Sequence, residues 1–127
     1  LGIEALSRGA QRALFVERDA AALGVLERNL EDLGLTPPGA EIHRGEARVL
    51  LRTARDRGDK YDLIFIDPPY GDAREWEREL AVDLPPLLAL GGRVVVESDR
   101  RSMLDLPLEV ERERRYGDTS IRIHRNP

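Results

Sequence analysis

The stretch YDLIFIDPPYGD, Tyr61 to Asp72, decides the fold class. Its apolar run, Leu63 to Ile66, is too short for a helix and rich in β-forming side chains, so it predicts a buried central strand. The run ends on Asp67, which two prolines and a tyrosine follow. Because proline fixes its own φ and favours extended geometry in the preceding residue, Asp67 and the Pro68 carbonyl are expected to be held rigidly at the strand end.

Helices and strands alternate along the rest of the chain. Four segments have a helical pattern: LGIEALSRGA, a segment capped by Asp19 and ended by Gly34, the face Ala47–Ala54, and residues 74–90. In the last of these, Pro85 and Pro86 are expected to start a second helical segment. Three segments have a strand pattern: RALFVE, AEIHRG and GGRVVVES. After Pro107, LEVERERRY and TSIRIHR flank a Gly-Asp turn and predict an antiparallel hairpin. The pattern predicts one α/β domain over residues 1–127, with a Rossmann-like, mostly parallel sheet, helices on both faces and an antiparallel edge.

Composition limits the function classes. The 127 residues carry a net charge of −4, which argues against nonspecific coating of nucleic acid but permits a local arginine-rich face, since 19 of the 20 basic residues are Arg. The absence of cysteine excludes a disulfide framework, and no apolar run is long enough to cross a bilayer, so we expect a cytoplasmic protein without membrane partners. Because the first residue is Leu1 and the only methionine is Met103, we expect the beginning of the protein to be missing from this sequence.

Acids at the strand ends are the first candidates for binding residues, because ligands of such sheets lie beyond the carboxyl ends of the strands. Glu17 ends a predicted strand at a position where an acid can accept hydrogen bonds from both ribose hydroxyls, which indicates a nucleoside cofactor. Its neighbour Arg18 is a further cofactor-binding candidate. Glu46 follows the next strand and can hydrogen-bond an adenine amine, although a glutamate in a first helical turn is also favourable against the helix dipole.

The DPPY segment, Asp67 to Tyr70, predicts catalysis on an amino group. An exocyclic amine of a nucleobase delocalises its lone pair into the ring, so it needs hydrogen-bond acceptors before it can attack an electrophile. The Asp67 carboxylate and the Pro68 carbonyl can orient that amine and stabilise developing positive charge, while Tyr70 stacks on a flipped base. A strand end with a chance Pro-Pro turn would explain the prolines but not the tyrosine.

The segments LGIEALSRGA, FVERDAAALGVLERNLEDLGL, YDLIFIDPPY, GGRVVVES and RRYGDTSIRI together resemble the bacterial 16S rRNA guanine-N2 methyltransferases, which use S-adenosylmethionine. The resemblance implies a Rossmann-like class I methyltransferase fold whose first strand and glycine-rich loop are absent here, with Gly2 the last glycine of that loop. It implies that Glu17 binds the ribose and that Glu46 and Ala47 lie near the adenine. It also implies that Asp67, Pro68, Pro69 and Tyr70 form the catalytic loop, with Asp67 close to the cofactor as well.

This resemblance implies 16S rRNA or the small ribosomal subunit as the partner, S-adenosylmethionine as the cofactor and no metal. Glu46 stands where an aspartate is expected in that family. In the hairpin, Tyr116 to Thr119 match a turn typical of the family, and a purely structural role for it remains open.

Two alternative functions stay open. A related enzyme could methylate another base, such as adenine N6 of DNA or RNA, and a noncatalytic fragment could only bind RNA; a nicotinamide dehydrogenase fits less well, because its chemistry does not require DPPY.

Six side chains outside the motif have simpler explanations. His43 and His124 lack neighbours at metal-ligand spacing, so we expect two surface histidines. Trp76 and Leu80 are expected to pack, and the flanking Arg74 and Arg78 to be solvated rather than bound to RNA phosphates.

Overall fold

The computed structural model describes residues 2–67, 73–99, 101 and 103–127. In chain order the elements are α1 (Gly2–Ser7), β1 (Ala13–Glu17), α2 (Ala20–Asp32), β2 (Ala40–Arg44), α3 (Ala47–Arg57), β3 (Tyr61–Ile66), α4 (Ala73–Leu87), β4 (Leu88–Asp99), β5 (Glu109–Tyr116) and β6 (Thr119–Arg125). Residue contacts divide the chain into a first unit, Leu1–Leu50, and a second unit, Leu51–Pro127. The expectation of a single domain stays a prediction.

The first unit is built on a parallel pair of strands. β1 and β2 run side by side in a register that pairs Ala13 with Ala40 and Glu17 with Arg44. Asp19 caps α2 as predicted, because its Oδ2 accepts a hydrogen bond from the Ala22 amide at 2.9 Å. The helix ends before Gly34, whose φ of +70° is readily adopted only by glycine.

The second unit contains a four-stranded sheet in the order β3-β4-β6-β5. β3 and β4 are parallel, whereas β6 is antiparallel to both β4 and β5. The predicted α/β fold class, with parallel strands and an antiparallel C-terminal hairpin, is therefore confirmed. The hairpin turn is Gly117 and Asp118, with Gly117 at φ +61°.

One face of this four-stranded sheet packs against α4 and the segment before β5. The shared core consists of Leu80, Leu84, Leu88, Val94, Val96, Leu104 and Leu106, against which Leu51, Ile64, Ile66, Trp76 and Leu108 also pack. Packing roles for Trp76 and Leu80 are thereby confirmed, and Arg74 and Arg78 on the same helix are exposed. Burying each such leucine stabilises the fold by about 1.5–3 kcal/mol. The unit is tied further by Arg55 of α3, whose Nη1 lies 2.6 Å from the buried Asp83 carboxylate of α4.

The prediction that Pro85 and Pro86 begin a new helical segment is wrong. Both prolines lie inside the last turn of α4, and β4 begins directly after it at Leu88. Although each proline removes one intrahelical hydrogen bond, Leu84 and Leu87 are fully buried, so packing holds the turn helical. The Lys60 ammonium donates a hydrogen bond to the Pro86 carbonyl and satisfies one acceptor at the helix end.

β4 is longer than predicted and contains the expected glycine turn within its range. The pairing to β3 shifts between Tyr61 and Leu63, which face Leu88 and Arg93. Gly91 has φ +74°, and a Cβ on Gly92 would lie 2.8 Å from the Ala89 carbonyl oxygen. Glycine is therefore favoured at residues 91 and 92, where the register between β3 and β4 shifts.

The expectation of two surface histidines is half wrong. His43 is exposed, but His124 of β6 is fully buried. The β4–β6 register places His124 opposite Val94, on the face that packs against the core. Burial of the ring lowers the pKa of His124, and a hydrogen bond to the Leu108 carbonyl opposes that shift only in part.

No helix among the described residues is both long enough and apolar enough to cross a bilayer.

Candidate functional site

The carboxyl ends of β1 and β2 bring several predicted cofactor-binding residues together. Glu17 is the last residue of β1, and its carbonyl accepts a hydrogen bond from the Gly45 amide at 3.1 Å. Glu46 and Ala47 follow directly at the start of α3. The parallel register thus places Glu17, Arg18, Glu46 and Ala47 at one edge of the two-stranded sheet.

The Glu17 side chain is anchored by the backbone of the next turn. Its Oε1 accepts hydrogen bonds from the amides of Arg18 at 3.1 Å and Asp19 at 3.0 Å. Asp19 in turn caps α2, so the strand end, the turn and the helix start support one another. This arrangement orients the half-buried carboxylate and leaves Oε2 suited to accept hydrogen bonds from ligand hydroxyls.

Glu46 has a different environment from Glu17. Its carboxylate oxygen lies 3.7 Å from Arg18 Nη1 and 3.6 Å from Arg48 Nη2. These ion pairs lie at least partly in solvent and are individually weak, but they give Glu46 two cationic neighbours and connect it to Arg18. Arg48 was not a predicted site residue. It belongs to no motif, and it reaches Glu46 only because the first turn of α3 brings the two side chains together.

Gly2 has a packing role in the structure. A Cβ built on Gly2 would lie 2.4 Å from Phe15 Cε1 and 2.9 Å from Phe15 Cζ, closer than any side chain allows. A side chain at residue 2 would therefore have to displace the Phe15 ring, which packs against α1 at this point. The predicted role of Gly2 in cofactor binding stays a prediction beside this packing role.

In the second unit, Asp67 immediately follows β3 at its carboxyl end and is exposed. The other proposed catalytic residues, Pro68, Pro69 and Tyr70, lie outside the described residues. The observed strand end agrees with the expected location of an acid that receives a substrate. The catalytic role of these residues stays a prediction.

Asp99, at the end of the neighbouring strand β4, is an acid that the sequence patterns did not single out. Its Oδ1 accepts hydrogen bonds from the Arg101 amide at 2.8 Å and from Arg101 Nε at 3.4 Å. These hydrogen bonds hold the pKa of Asp99 below its usual value. The Asp99 carboxylate is therefore held in place by Arg101.

Within the part of the chain that the structure describes, no three His, Asp or Glu side chains are grouped as metal ligands would be.

Comparison with known proteins assigns the chain to a family. Residues 1–125 match the family described as "Conserved hypothetical protein 95". The chain belongs to this family.

Two curated relatives of this family member are named as rRNA methyltransferases. The chain is 35% identical over 130 residues to "Putative rRNA methyltransferase YlbH" of Bacillus subtilis, an alignment that covers 98% of the chain and 69% of the relative. It is also 39% identical over 67 residues to "Ribosomal RNA large subunit methyltransferase I" of Erwinia tasmaniensis, covering 53% of the chain but only 17% of that protein.

Solved structures show the same fold in other methyltransferases. "Putative methyltransferase yhhF" of Escherichia coli superposes with a TM-score of 0.78 at 28% identity, covering 98% of the chain and 68% of that protein. "SMU.776, a putative methyltransferase complexed with SAH" superposes with a TM-score of 0.76 at 12% identity, covering 92% of the chain and 40% of that protein. The predicted class I methyltransferase fold is confirmed.

Proposed function

We propose that the protein is an S-adenosylmethionine-dependent RNA methyltransferase that transfers a methyl group to the exocyclic N2 of a guanine in 16S rRNA. The class I methyltransferase fold and the rRNA methyltransferase named among its relatives support the reaction class. The resemblance of the DPPY segment to guanine-N2 methyltransferases supports the finer assignment to a guanine amine. Residues 1–127 would act as one methyltransferase domain.

The observation that carries this proposal is the position of Asp67. An exposed carboxylate directly after a parallel strand, at the carboxyl end, lies where folds of this class bind the reacting groups. In the proposed reaction, the Asp67 carboxylate accepts a hydrogen bond from the guanine N2 amine. That contact directs the nitrogen lone pair toward the electrophile and stabilises the positive charge on nitrogen as the N–C bond forms.

The residues of the first unit fit a nucleoside cofactor. The Glu17 carboxylate is anchored through Oε1 and offers Oε2 as a hydrogen-bond acceptor to the ribose hydroxyls, which donate. Arg18, Glu46 and Ala47 lie beside it at the same strand ends, where they would line the adenosine site. S-adenosylmethionine supplies an electrophilic methyl group when bound. Transfer of the methyl group to N2 would leave S-adenosylhomocysteine, and the amine would lose one proton, which Asp67 can accept and release to water.

A methyl-transfer assay tests this proposal. The protein is incubated with methyl-labelled S-adenosylmethionine and with unmodified small subunits, unmodified large subunits and their protein-free rRNAs. We expect label in 16S rRNA, and N2-methylguanosine after digestion and mass spectrometry. Detection of N6-methyladenosine instead would show that the target is adenine and not guanine. A protein that binds S-adenosylhomocysteine but labels no RNA would contradict the proposed reaction.

A second candidate substrate is large-subunit rRNA. It is favoured by the match to the relative named as a large-subunit methyltransferase, which covers about half of the chain. Label in large-subunit rRNA alone would favour this candidate over the 16S assignment.

A further inference from the structure

The face of the four-stranded sheet opposite the α4 core, which includes Ile121, Ile123 and Arg125 of β6, is called the open face. It carries an arginine cluster that the proposed active site does not use. The β4–β6 register places Arg93 beside Arg125, and the β5–β6 register places Arg112 beside Ile123. We call Arg93, Arg112 and Arg125, grouped around Glu111, the hairpin arginine cluster. All three arginines are exposed and lie on one face, because directly paired residues of neighbouring strands share a face.

A β-bulge creates this cluster. Val110 faces His124 and Arg112 faces Ile123, so Glu111 is the extra residue of β5. In an unbroken register Arg112 would face Arg122 and point to the core side of the sheet. The bulge instead brings Arg112, and two residues later Arg114, onto the open face.

Only part of the positive charge of the cluster is neutralised within it. Glu111 forms a two-pronged contact with Arg93, in which Arg93 Nε lies 2.7 Å from Oε2 and Nη2 lies 3.1 Å from Oε1. This contact lowers the pKa of Glu111, and the nearby charges of Arg125 and Arg112 lower it further. Neither Arg112 nor Arg125 forms an ion pair among the described residues, although Glu109 lies opposite Arg125 in the register.

The cluster borders a depression of about 280 Å³ lined by Arg93, Glu111, Arg112 and Ile123. Arginine forks match the oxygens of a phosphate, and Glu111 holds Arg93 in one orientation while Arg112 keeps its donors available. Ile123 adds an apolar side chain to the lining, suited to contact a sugar ring. The guanidinium group of Arg112, unpaired among the described residues, and this apolar side chain beside it fit a sugar-phosphate unit.

We propose that the hairpin arginine cluster binds the RNA sugar-phosphate backbone through Arg112 and Arg125, and so positions the substrate outside the reacting centre. This inference rests on the proposed RNA substrate. Phosphate contacts fix register and orientation without reading sequence, so the cluster contributes affinity and a salt dependence rather than base selectivity.

Binding of the full chain to protein-free 16S rRNA, measured over a series of salt concentrations, tests the cluster. We expect Arg112→Gln and Arg125→Gln each to weaken binding about three- to fivefold, and each to reduce the slope of log affinity against log salt by about one. Glu111→Gln frees Arg93 and is expected to act in the opposite direction, with tighter binding and a steeper slope. A residue that only supported the fold would not give these opposite changes.

Arg115→Gln is the matched control. Arg115 is an exposed arginine of the same strand, but it pairs with Ser120 and lies on the other face of the sheet. The proposal is overturned if Arg115→Gln weakens binding and flattens the slope as much as Arg112→Gln does. It is equally overturned if the cluster variants lose affinity for assembled subunits but not for protein-free RNA, because the cluster would then bind protein.

Affinity for S-adenosylhomocysteine separates the two proposals. We expect all these variants to bind it as the unaltered protein does. If the unaltered protein binds rRNA but does not bind S-adenosylhomocysteine, the methyltransferase proposal fails while the cluster assignment stands. If it binds no RNA, both fail.

Discussion

The two units hold their candidate functional acids in different ways. In the first unit the buried apolar residues are Leu23, Leu30 and Ala40, and Glu17 is fixed by hydrogen bonds to backbone amides. In the second unit Asp67 follows β3, whose own residues Ile64 and Ile66 pack against an extensive core of leucine and valine side chains. A change at Glu17 should therefore affect ligand binding with little loss of stability. In the second unit, a change at Asp67 should affect methyl transfer, and a change in the core should affect the stability of the fold.

The largest effect is expected for Asp67→Ala. If the Asp67 carboxylate orients the amine, its removal should lower methyl transfer about a thousandfold, or about 4 kcal/mol in activation free energy, with cofactor affinity largely kept. Single-turnover assays and calorimetric titration with S-adenosylhomocysteine measure the two quantities. Asp62→Asn, an exposed acid nearer the start of the same strand, is the control and should retain its rate. Near-normal turnover of Asp67→Ala would refute the catalytic role.

The second effect in size is on stability, at the core of the second unit. Leu84 is fully buried in α4, so Leu84→Ala should lower the free energy of unfolding by about 3 kcal/mol through lost burial and a residual cavity. Val82 on the same helix is 61% exposed, and Val82→Ala should change the stability by less than about 0.5 kcal/mol. Urea denaturation followed by circular dichroism measures both. Equal losses would show that this helix does not carry the core of the unit.

A smaller effect is expected for Glu17→Gln in the first unit. Glutamine keeps one oxygen for the amides of Arg18 and Asp19, so the turn should remain folded. The other carboxylate oxygen is replaced by an NH₂ donor, which cannot accept from a ribose hydroxyl, and cofactor affinity should fall about tenfold. Glu27→Gln, on the exposed side of α2, controls for the loss of charge. Unchanged S-adenosylhomocysteine affinity in Glu17→Gln would exclude Glu17 as the ribose ligand.

Much of this fold was predictable because the signals are local. The spacing of Leu23, Leu26 and Leu30, the cap Asp19 and the run Leu63–Ile66 each predict their own element, and the structure contains all of them. The expectation of a buried central strand is wrong for the described sheet, because β3 lies at its edge and Leu63 and Phe65 are exposed. The placement of acids at strand ends followed from the alternation of strands and helices. The catalytic role of Asp67 came from a motif and stays a prediction.

What could not be predicted depends on contacts between distant segments. In TSIRIHR the hairpin pattern did not show which face is buried: Ser120 and His124 are buried, while Ile121 and Ile123 are half-buried on the opposite face. The pairing of β6 with β4 decides this, since it places His124 beside Val94. The bulge at Glu111, and hence the hairpin arginine cluster, likewise has no local signature.

The smallest effect expected is a pH dependence from His124. Burial places its folded pKa below the ordinary value of 6.5, with Arg122 lowering it further and the Leu108 carbonyl and Asp105 raising it. Protonation therefore favours the unfolded chain: stability from this residue is constant above about pH 6.5 and declines as the pH falls below 6.5 toward the folded pKa. His124→Phe should remove that decline, whereas His43→Gln, which alters the exposed histidine, should leave it. Urea unfolding at a series of pH values from 5 to 8 would decide, because an identical pH profile for His124→Phe and the unaltered protein contradicts this assignment.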